Sequence, residues 1–175
     1  IIAIANQKGG VGKTTTSVNL AASLAVLEQK ILLVDADPQG NLSQSLGIEN
    51  PDELEVALPS IMEQIIMDKE VDVTKGIIHH KERLDLMPCN IDLSGVDVSL
   101  VNAMSREFVL KTYVDSMREF YDYILIDCTP SLGLLPINAF VAADSIILPS
   151  QPRILSTKGL DLLLRTYSQV KRGIN

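Results

Sequence analysis

A glycine-rich loop near the start of the chain constrains the fold more than any other feature of the sequence. It lies between a short apolar run and a segment of helical period, and it consists of Lys8, Gly9, Gly10, Val11, Gly12, Lys13, Thr14 and Thr15. Its glycines allow backbone torsions that a β-carbon would forbid, so successive N–H groups can surround an anion at the positive end of the following helix. Lys13 supplies a charge for β- and γ-phosphates, and the Thr14 hydroxyl is suited to ligate Mg²⁺. The spacing therefore predicts a phosphate-binding loop.

Short apolar runs alternate with longer segments of helical period along the rest of the chain. We predict strands at Ile1–Ala5, Ile31–Asp35, Leu84–Pro88, Tyr123–Asp127 and Ser145–Pro149. We predict helices at Thr14–Leu27, Ile61–Met67, Leu100–Phe120 and Gly159–Val170, and a polar connector that carries His79 and His80 at the surface. Strands that are apolar throughout are typical of a parallel sheet covered on both faces. The chain is therefore predicted to adopt an α/β fold, with a mostly parallel, doubly wound sheet flanked by helices.

The length and composition of the chain fit one domain of ordinary size. It has 175 residues, of which 46% are hydrophobic and 21% are charged, and no repeat or linker divides it, so we expect residues 1–175 to form a single domain. No apolar run approaches the roughly 18 residues needed to cross a bilayer, so we expect no membrane span. The two cysteines, Cys89 and Cys128, cannot form a disulfide framework and are predicted to be small core residues of a cytosolic protein.

Acidic residues end two of the predicted strands. Asp35 and Asp37 lie on one side of the chain at the end of the second strand, and Asp127 ends the fourth. Parallel α/β folds bind ligands at the carboxyl ends of their strands, which is also where the phosphate loop lies. We interpret Asp127 as a Walker B aspartate that binds Mg²⁺ through a water molecule. The alternatives are a turn cluster around Asp35 and Asp37 and a helix cap at Asp127.

The loop departs from the general pattern G-x-x-x-x-G-K-[ST], because Gln7 occupies the first glycine position and a second lysine, Lys8, follows it. From its chemistry alone, Lys8 fits a solvated loop lysine equally well. The pattern K-G-G-x-G-K-T-T is a deviant Walker A motif, and with it the chain resembles the ParA/MinD class of P-loop ATPases. The segments DADPQGN, from Asp35, and DCTPSLG, from Asp127, are similar to the ParA/Soj-type partition ATPases.

The resemblance implies a P-loop NTPase fold and an ATPase that uses ATP, ADP and Mg²⁺. It implies that Lys8 reaches across a nucleotide-sandwich homodimer to the phosphates bound by the other subunit. Asp37 is then expected to orient the attacking water, and Asp35 to support the Mg²⁺ shell indirectly or to hold its own loop. On this interpretation the catalytic residues are Lys8, Lys13 and Asp37, and the metal-binding residues are Thr14, Asp127 and, indirectly, Asp35.

The resemblance also implies partners. The family couples slow ATP hydrolysis to nonspecific DNA binding and to a ParB-type protein that stimulates hydrolysis, and it partitions plasmids or chromosomes on the nucleoid of the bacterial cytosol. The formal net charge of −7 argues against strong DNA binding by these residues alone. Because the family's domain runs well beyond this length, we expect its C-terminal part, with much of the DNA-binding surface, to lie outside them.

Two other functions compete with partition. A MinD-like ATPase that cycles on membranes to position the division site needs an amphipathic C-terminal helix, whereas Leu160–Asn175 carries charges around most of its circumference. A regulator that binds nucleotide without hydrolysing it is the other alternative. The presence of Lys13, Asp37 and Asp127 argues against it.

Overall fold

The computed structural model describes residues 1–80, 83–151 and 154–173, the last range with side chains from residue 159 onward. Within these ranges, six strands form one sheet in the order β3-β4-β2-β5-β1-β6. The strands are β1 (Ile2–Ile4), β2 (Ile31–Ala36), β3 (Ile78–His80), β4 (Leu84–Met87), β5 (Tyr123–Cys128) and β6 (Ser145–Ile147). Every pairing among them is parallel except that of β3 with β4. The predicted α/β fold with a mostly parallel sheet is confirmed.

Helices cover both faces of the sheet. They are α1 (Lys13–Val26), α2 (Asn41–Ser45), α3 (Leu58–Ile66), α4 (Leu93–Leu100), α5 (Val109–Ser116), α6 (Leu134–Ala142) and α7 (Ile154–Gly173), with a short 3₁₀ helix at Pro51–Glu53. Alternate residues of β2 point to opposite faces. Leu33 packs with Ala21 of α1 on one face, whereas Val34 belongs to the core formed with α3 to α7 on the other. Burial on both faces explains why the central strands are apolar throughout.

The sheet order brings three strand ends together. β5 lies between β1 and β2, with Asp127 opposite Ile4 on one side and opposite Asp35 on the other. The glycine-rich loop follows β1, and the segment after Asp35 follows β2. Because all three strands are parallel, these loops emerge at the same edge of the sheet.

The prediction of one helix over Leu100–Phe120 is wrong. Helix α4 ends at Leu100 and α5 begins only at Val109, with turns between them. The fully buried Asn138 of α6 contacts the chain where α5 begins. Its Nδ2 donates to the Arg106 carbonyl at 2.8 Å, and its Oδ1 accepts from the Leu110 N–H at 3.1 Å, so these backbone groups bond to another helix.

The prediction of a polar connector around His79 and His80 is also wrong in part, because these residues belong to the edge strand β3. Both histidines are exposed, as predicted. His79 lies opposite Asp85 of β4, with 2.9 Å between its Nδ1 and the Asp85 Oδ1. An edge strand with two polar, exposed residues out of three lacks the apolar run that marks the central strands.

Tyr113 carries a buried hydroxyl that offers a test of the core. Its side chain is fully buried, and no hydrogen-bond partner of the hydroxyl exists within the described ranges. An unsatisfied buried hydroxyl costs about 1–3 kcal/mol, whereas a phenylalanine ring fills nearly the same space. We therefore expect Tyr113→Phe to raise the free energy of unfolding by about 1 kcal/mol, measured by urea denaturation.

Tyr121→Phe is the matched control for this prediction. The Tyr121 hydroxyl donates to the Asp85 Oδ2 at 2.7 Å, so its removal breaks a hydrogen bond to a charged group. That variant is expected to lower the free energy of unfolding by about 1–2 kcal/mol. Equal destabilisation by the two variants would show that the Tyr113 hydroxyl is satisfied in solution.

Candidate functional site

The glycine-rich loop forms an open cradle at the start of α1. Gly10 and Gly12 have φ values of +69° and +93°, which residues with a β-carbon rarely adopt. A β-carbon placed on Gly9, Gly10 or Gly12 would meet no atom within 4 Å, so the space above the loop is free. The Gly12 carbonyl accepts the Thr16 N–H at 2.8 Å and starts the helix. The first N–H groups of α1 have no acceptors within the helix itself, and this arrangement suits an anion.

Asp127 and the first turn of α1 are directly connected. The Asp127 side chain is 1% exposed, and its Oδ2 accepts a hydrogen bond from the Thr14 hydroxyl at 2.7 Å. Its Oδ1 accepts one from the Ser17 hydroxyl at 2.9 Å. Burial raises the pKa of Asp127, although these two hydrogen bonds and the charge of Lys13 act in the opposite direction. Lys13 is itself 8% exposed, so both residues are largely shielded from water.

Ser17 is a further residue of this cluster that the motifs do not indicate. It is completely buried, and its hydroxyl contacts both the Lys13 carbonyl, at 3.1 Å, and Asp127. Its position three residues after Thr14 places it on the same side of α1. This spacing from Thr14 is the one feature of the sequence that indicates Ser17.

Asp37 lies beside Asp127 at the same edge of the sheet. It is 8% exposed, and its charge contributes to the raised pKa of Asp127. The Asp37 Oδ1 accepts the Gln39 N–H at 3.1 Å, and its carbonyl accepts the Gly40 N–H at 2.9 Å. These bonds form a tight turn that fixes the carboxylate at the end of β2.

Asp35 faces the start of α2. Its Oδ2 accepts both the N–H and the hydroxyl of Ser43, at 2.8 and 2.7 Å, and its Oδ1 accepts the Asp37 N–H at 3.2 Å. The Ser43 hydroxyl in turn accepts the Cys89 N–H at 3.1 Å. Burial raises the pKa of Asp35 to about 7 against the effect of these hydrogen bonds. These hydrogen bonds connect Asp35 to the segment that follows β2, and both of its predicted roles, in holding this loop and indirectly in a metal site, stay predictions.

Lys8 lies at the exposed entrance of the loop. Its backbone N–H donates to the Asn6 Oδ1 at 2.9 Å, and its Nζ is 3.5 Å from the Gln151 Oε1. The side chain is exposed, unlike that of Lys13. The two loop lysines therefore occupy different environments, one open to another molecule and one beside the Walker B aspartate.

The two cysteines are buried beside the site. Cys89 follows β4, and Cys128 is the last residue of β5. Burial raises the pKa of both thiols, with neighbouring aspartates acting in the same direction. Neither thiol is suited to act as a thiolate ligand or nucleophile, in keeping with the predicted core role.

A parallel sheet with a glycine-rich loop between β1 and α1, and with a buried aspartate bonded to the loop threonine, defines a P-loop NTPase. The family model AAA_31, described as an AAA domain, matches residues 1–175, and the chain belongs to this family of ParA- and Soj-like P-loop proteins.

Three similar proteins show the range of the family. The sporulation initiation inhibitor protein Soj of Bacillus subtilis is 48% identical over the whole chain, which spans 67% of that protein. The chromosome partitioning protein ParA of Myxococcus xanthus is 46% identical, again over the whole chain, which spans 60% of it. A crystal structure of cobyrinic acid a,c-diamide synthase from Mycobacterium smegmatis, with bound ADP and magnesium, has a TM-score of 0.91 and 39% identity, over 99% of this chain and 69% of that one.

The chain thus spans about three fifths to two thirds of the curated relatives that it matches. The predicted resemblance to the ParA/Soj group is confirmed. Among the described helices, none combines the length and the apolar character needed to cross a membrane.

Proposed function

We propose that residues 1–175 form a single P-loop ATPase domain of a partition ATPase, which hydrolyses ATP to ADP and phosphate. The observation that carries this proposal is the cluster at one sheet edge, where the open glycine cradle, Lys13 and the bonded pair of Thr14 and Asp127 lie beside Asp37. The 48% identity to Soj supports the partition branch of the family.

The residues present fit a nucleotide with Mg²⁺. The left-handed glycines leave free space above the loop, and Lys13 brings a buried cation to it, so the cradle suits a polyphosphate. The Thr14 hydroxyl would hold the metal directly, Asp127 through a water molecule, and Asp35 indirectly. When bound, Mg²⁺ neutralises charge on the β- and γ-phosphates.

Asp37 is the residue proposed to act on the attacking water. Its carboxylate accepts a hydrogen bond from the water and orients it in line with the γ-phosphorus, so that a new P–O bond forms as the bond to the β-phosphate oxygen breaks. Lys13 stabilises the charge that develops on the leaving oxygen. The turn closed by the Gln39 N–H keeps Asp37 in place during this step.

ATP is proposed to favour a face-to-face homodimer in which the exposed Lys8 contacts the phosphates of the other subunit. Hydrolysis then returns the protein to monomers, and the cycle is coupled to nonspecific DNA and to a ParB-type partner on the nucleoid of the bacterial cytosol. Slow turnover without the partner suits a switch that must keep its ATP state. A MinD-like membrane cycle and a non-hydrolysing regulator are the alternative outcomes of the experiments below.

We expect Lys8→Ala in the full-length protein to abolish ATP-dependent dimerisation while nucleotide binding by the monomer stays within about threefold. The reason is that Lys8 is exposed at the loop entrance, outside the cradle formed by residues 9–15. Each half of the dimer has one cross-subunit lysine–phosphate contact, which contributes about 1.5–3 kcal/mol. Losing both contacts raises the dimer dissociation constant by at least about 100-fold. Light scattering with ATP and Mg²⁺ measures the dimer, and calorimetry measures the nucleotide.

Lys69→Ala is the matched control, because it removes another exposed lysine, in the turn that follows α3. It should dimerise like wild type. If Lys8→Ala also dimerises like wild type, Lys8 is an ordinary solvated lysine of the loop.

A further inference from the structure

The Asn6 side chain connects the phosphate loop to the segment that follows β6. It is 7% exposed and lies just after β1. Its Oδ1 accepts the Lys8 N–H at 2.9 Å, and its Nδ2 donates to the Pro149 carbonyl at 2.8 Å and lies 3.4 Å from the Ser150 hydroxyl. Because a carbonyl only accepts hydrogen bonds, the contact with Pro149 fixes which end of the amide faces Lys8. Both ends of this buried amide are therefore used.

The segment after β6 touches the loop a second time through Gln151. Its Oε1 lies 3.5 Å from the Lys8 Nζ, and its Nε2 lies 3.4 Å from the Gly10 carbonyl. These contacts are longer than the bonds of Asn6 to Lys8 and Pro149, and Gln151 is only half-buried, so they are the weaker connection. The backbone of Lys8 is therefore connected to the segment that begins at Pro149 through Asn6, and its side chain is connected to the same segment through Gln151.

We infer that Asn6 is a positioning residue for Lys8. Its carbonyl oxygen closes an Asx turn on the Lys8 N–H and so fixes the direction in which Lys8 leaves the loop. The cradle that follows has its own determinants, since the positive φ values of Gly10 and Gly12 and the start of α1 do not involve Asn6. Asn6 therefore acts on the cross-subunit lysine and not on phosphate binding. This inference rests on the proposed function, because Lys8 works only in the ATP-bound dimer.

Two substitutions in the full-length protein separate this role from simple packing. Asn6→Ala removes both contacts of the amide. Asn6→Ser keeps a short oxygen acceptor able to close the same turn on the Lys8 N–H but cannot reach Pro149. We expect Asn6→Ala to raise the dimer dissociation constant with AMPPNP and Mg²⁺ about tenfold, since each subunit loses the same hydrogen bond, and Asn6→Ser to recover most of that loss. In both variants the affinity of the monomer for AMPPNP, measured by calorimetry, should stay within about threefold of wild type.

Ser150→Ala serves as the control, because it alters the same contact region without touching the turn, and it should dimerise like wild type. If Asn6→Ala forms the dimer as tightly as wild type does, the inference about Asn6 is overturned while the proposed function stands. Equal losses in Asn6→Ala and Asn6→Ser also overturn it, because the contact with Pro149 would then be the one that matters. A wild type that stays monomeric with AMPPNP refutes the proposed function, and the role given to Asn6 falls with it. Thermal melts of all variants identify any that fail to fold, and Asn6→Ser then decides the question.

Discussion

Lys13→Ala is expected to reduce the affinity for ATP by at least about 100-fold, to a level that calorimetry with Mg²⁺ no longer detects. Lys13 is a buried residue at the start of α1, and its ammonium group is proposed to donate charge-assisted hydrogen bonds to phosphate oxygens. Each hydrogen bond to a charged group contributes about 1.5–3 kcal/mol, and two of them account for a loss of this size. The neighbouring backbone N–H groups remain, but they do not replace a full positive charge.

The control for this result is Lys8→Ala, which removes the other lysine of the same loop and should bind ATP as a monomer almost as wild type does. The comparison separates a general loss of positive charge near the loop from the specific role of Lys13. Circular dichroism shows whether Lys13→Ala keeps its fold. Undiminished ATP affinity in a folded Lys13→Ala protein would refute the assignment of a phosphate-binding loop.

The central part of the fold was predictable because its cause is local and visible in the sequence. β5 was predicted at Tyr123–Asp127 and is observed at Tyr123–Cys128, and β2 was predicted at Ile31–Asp35 and is observed at Ile31–Ala36. A strand covered on both faces needs apolar residues at every position, and a run of that kind is hard to mistake. The polar ends of the same runs then located the aspartates of the site.

The errors arose where a distant side chain overrides the local pattern. Nothing within residues 100–120 shows that Asn138 will bond to two of their backbone groups at the start of α5. The edge strand β3 was missed for a related reason, since its three residues are held by β4 and carry no apolar run of their own. Tertiary contacts decide both elements, and a single sequence does not display them.

The same distinction separates the site residues that were predicted from those that were missed. Lys8, Lys13 and Thr14 stand in one contiguous motif, whereas Ser17 and Asn6 contact partners more than 100 residues away, Asp127 and Pro149. Ser43 bonds to Asp35 within the same segment but also to Cys89, which belongs to a different strand end. Motifs thus predict the groups that are proposed to touch a ligand, and the structure adds the side chains that hydrogen-bond to them.

Asp37→Ala is expected to bind ATP but to lose hydrolysis by about 100-fold or more, the range found for removal of a group that activates water. The phosphate and Mg²⁺ contacts are proposed to come from the cradle, Thr14 and Asp127, and the hydrogen bonds of Asp127 to Thr14 and Ser17 do not involve the Asp37 side chain. Asp37→Asn sharpens the test, because its amide oxygen still accepts the Gln39 N–H and preserves the turn while the negative charge is removed. Both variants should lose phosphate release in a steady-state assay and keep ATP affinity in calorimetry.

A protein that binds ATP without hydrolysing it should accumulate as the ATP dimer, and this property separates the three functions. In a partition ATPase that dimer holds DNA, so full-length Asp37→Ala should retain nonspecific duplex DNA with ATP and release it with ADP. Because these residues have a net charge of −7, the expected DNA binding depends on a local basic surface. The affinity for DNA should fall steeply as the salt concentration rises, because phosphate contacts displace counterions. A MinD-like protein would instead sediment with anionic vesicles in the ATP state, and a non-hydrolysing regulator would show no nucleotide dependence in either assay. Gel shift and vesicle sedimentation on the same variant therefore decide among them, and DNA retention that ignores the nucleotide would contradict the partition function.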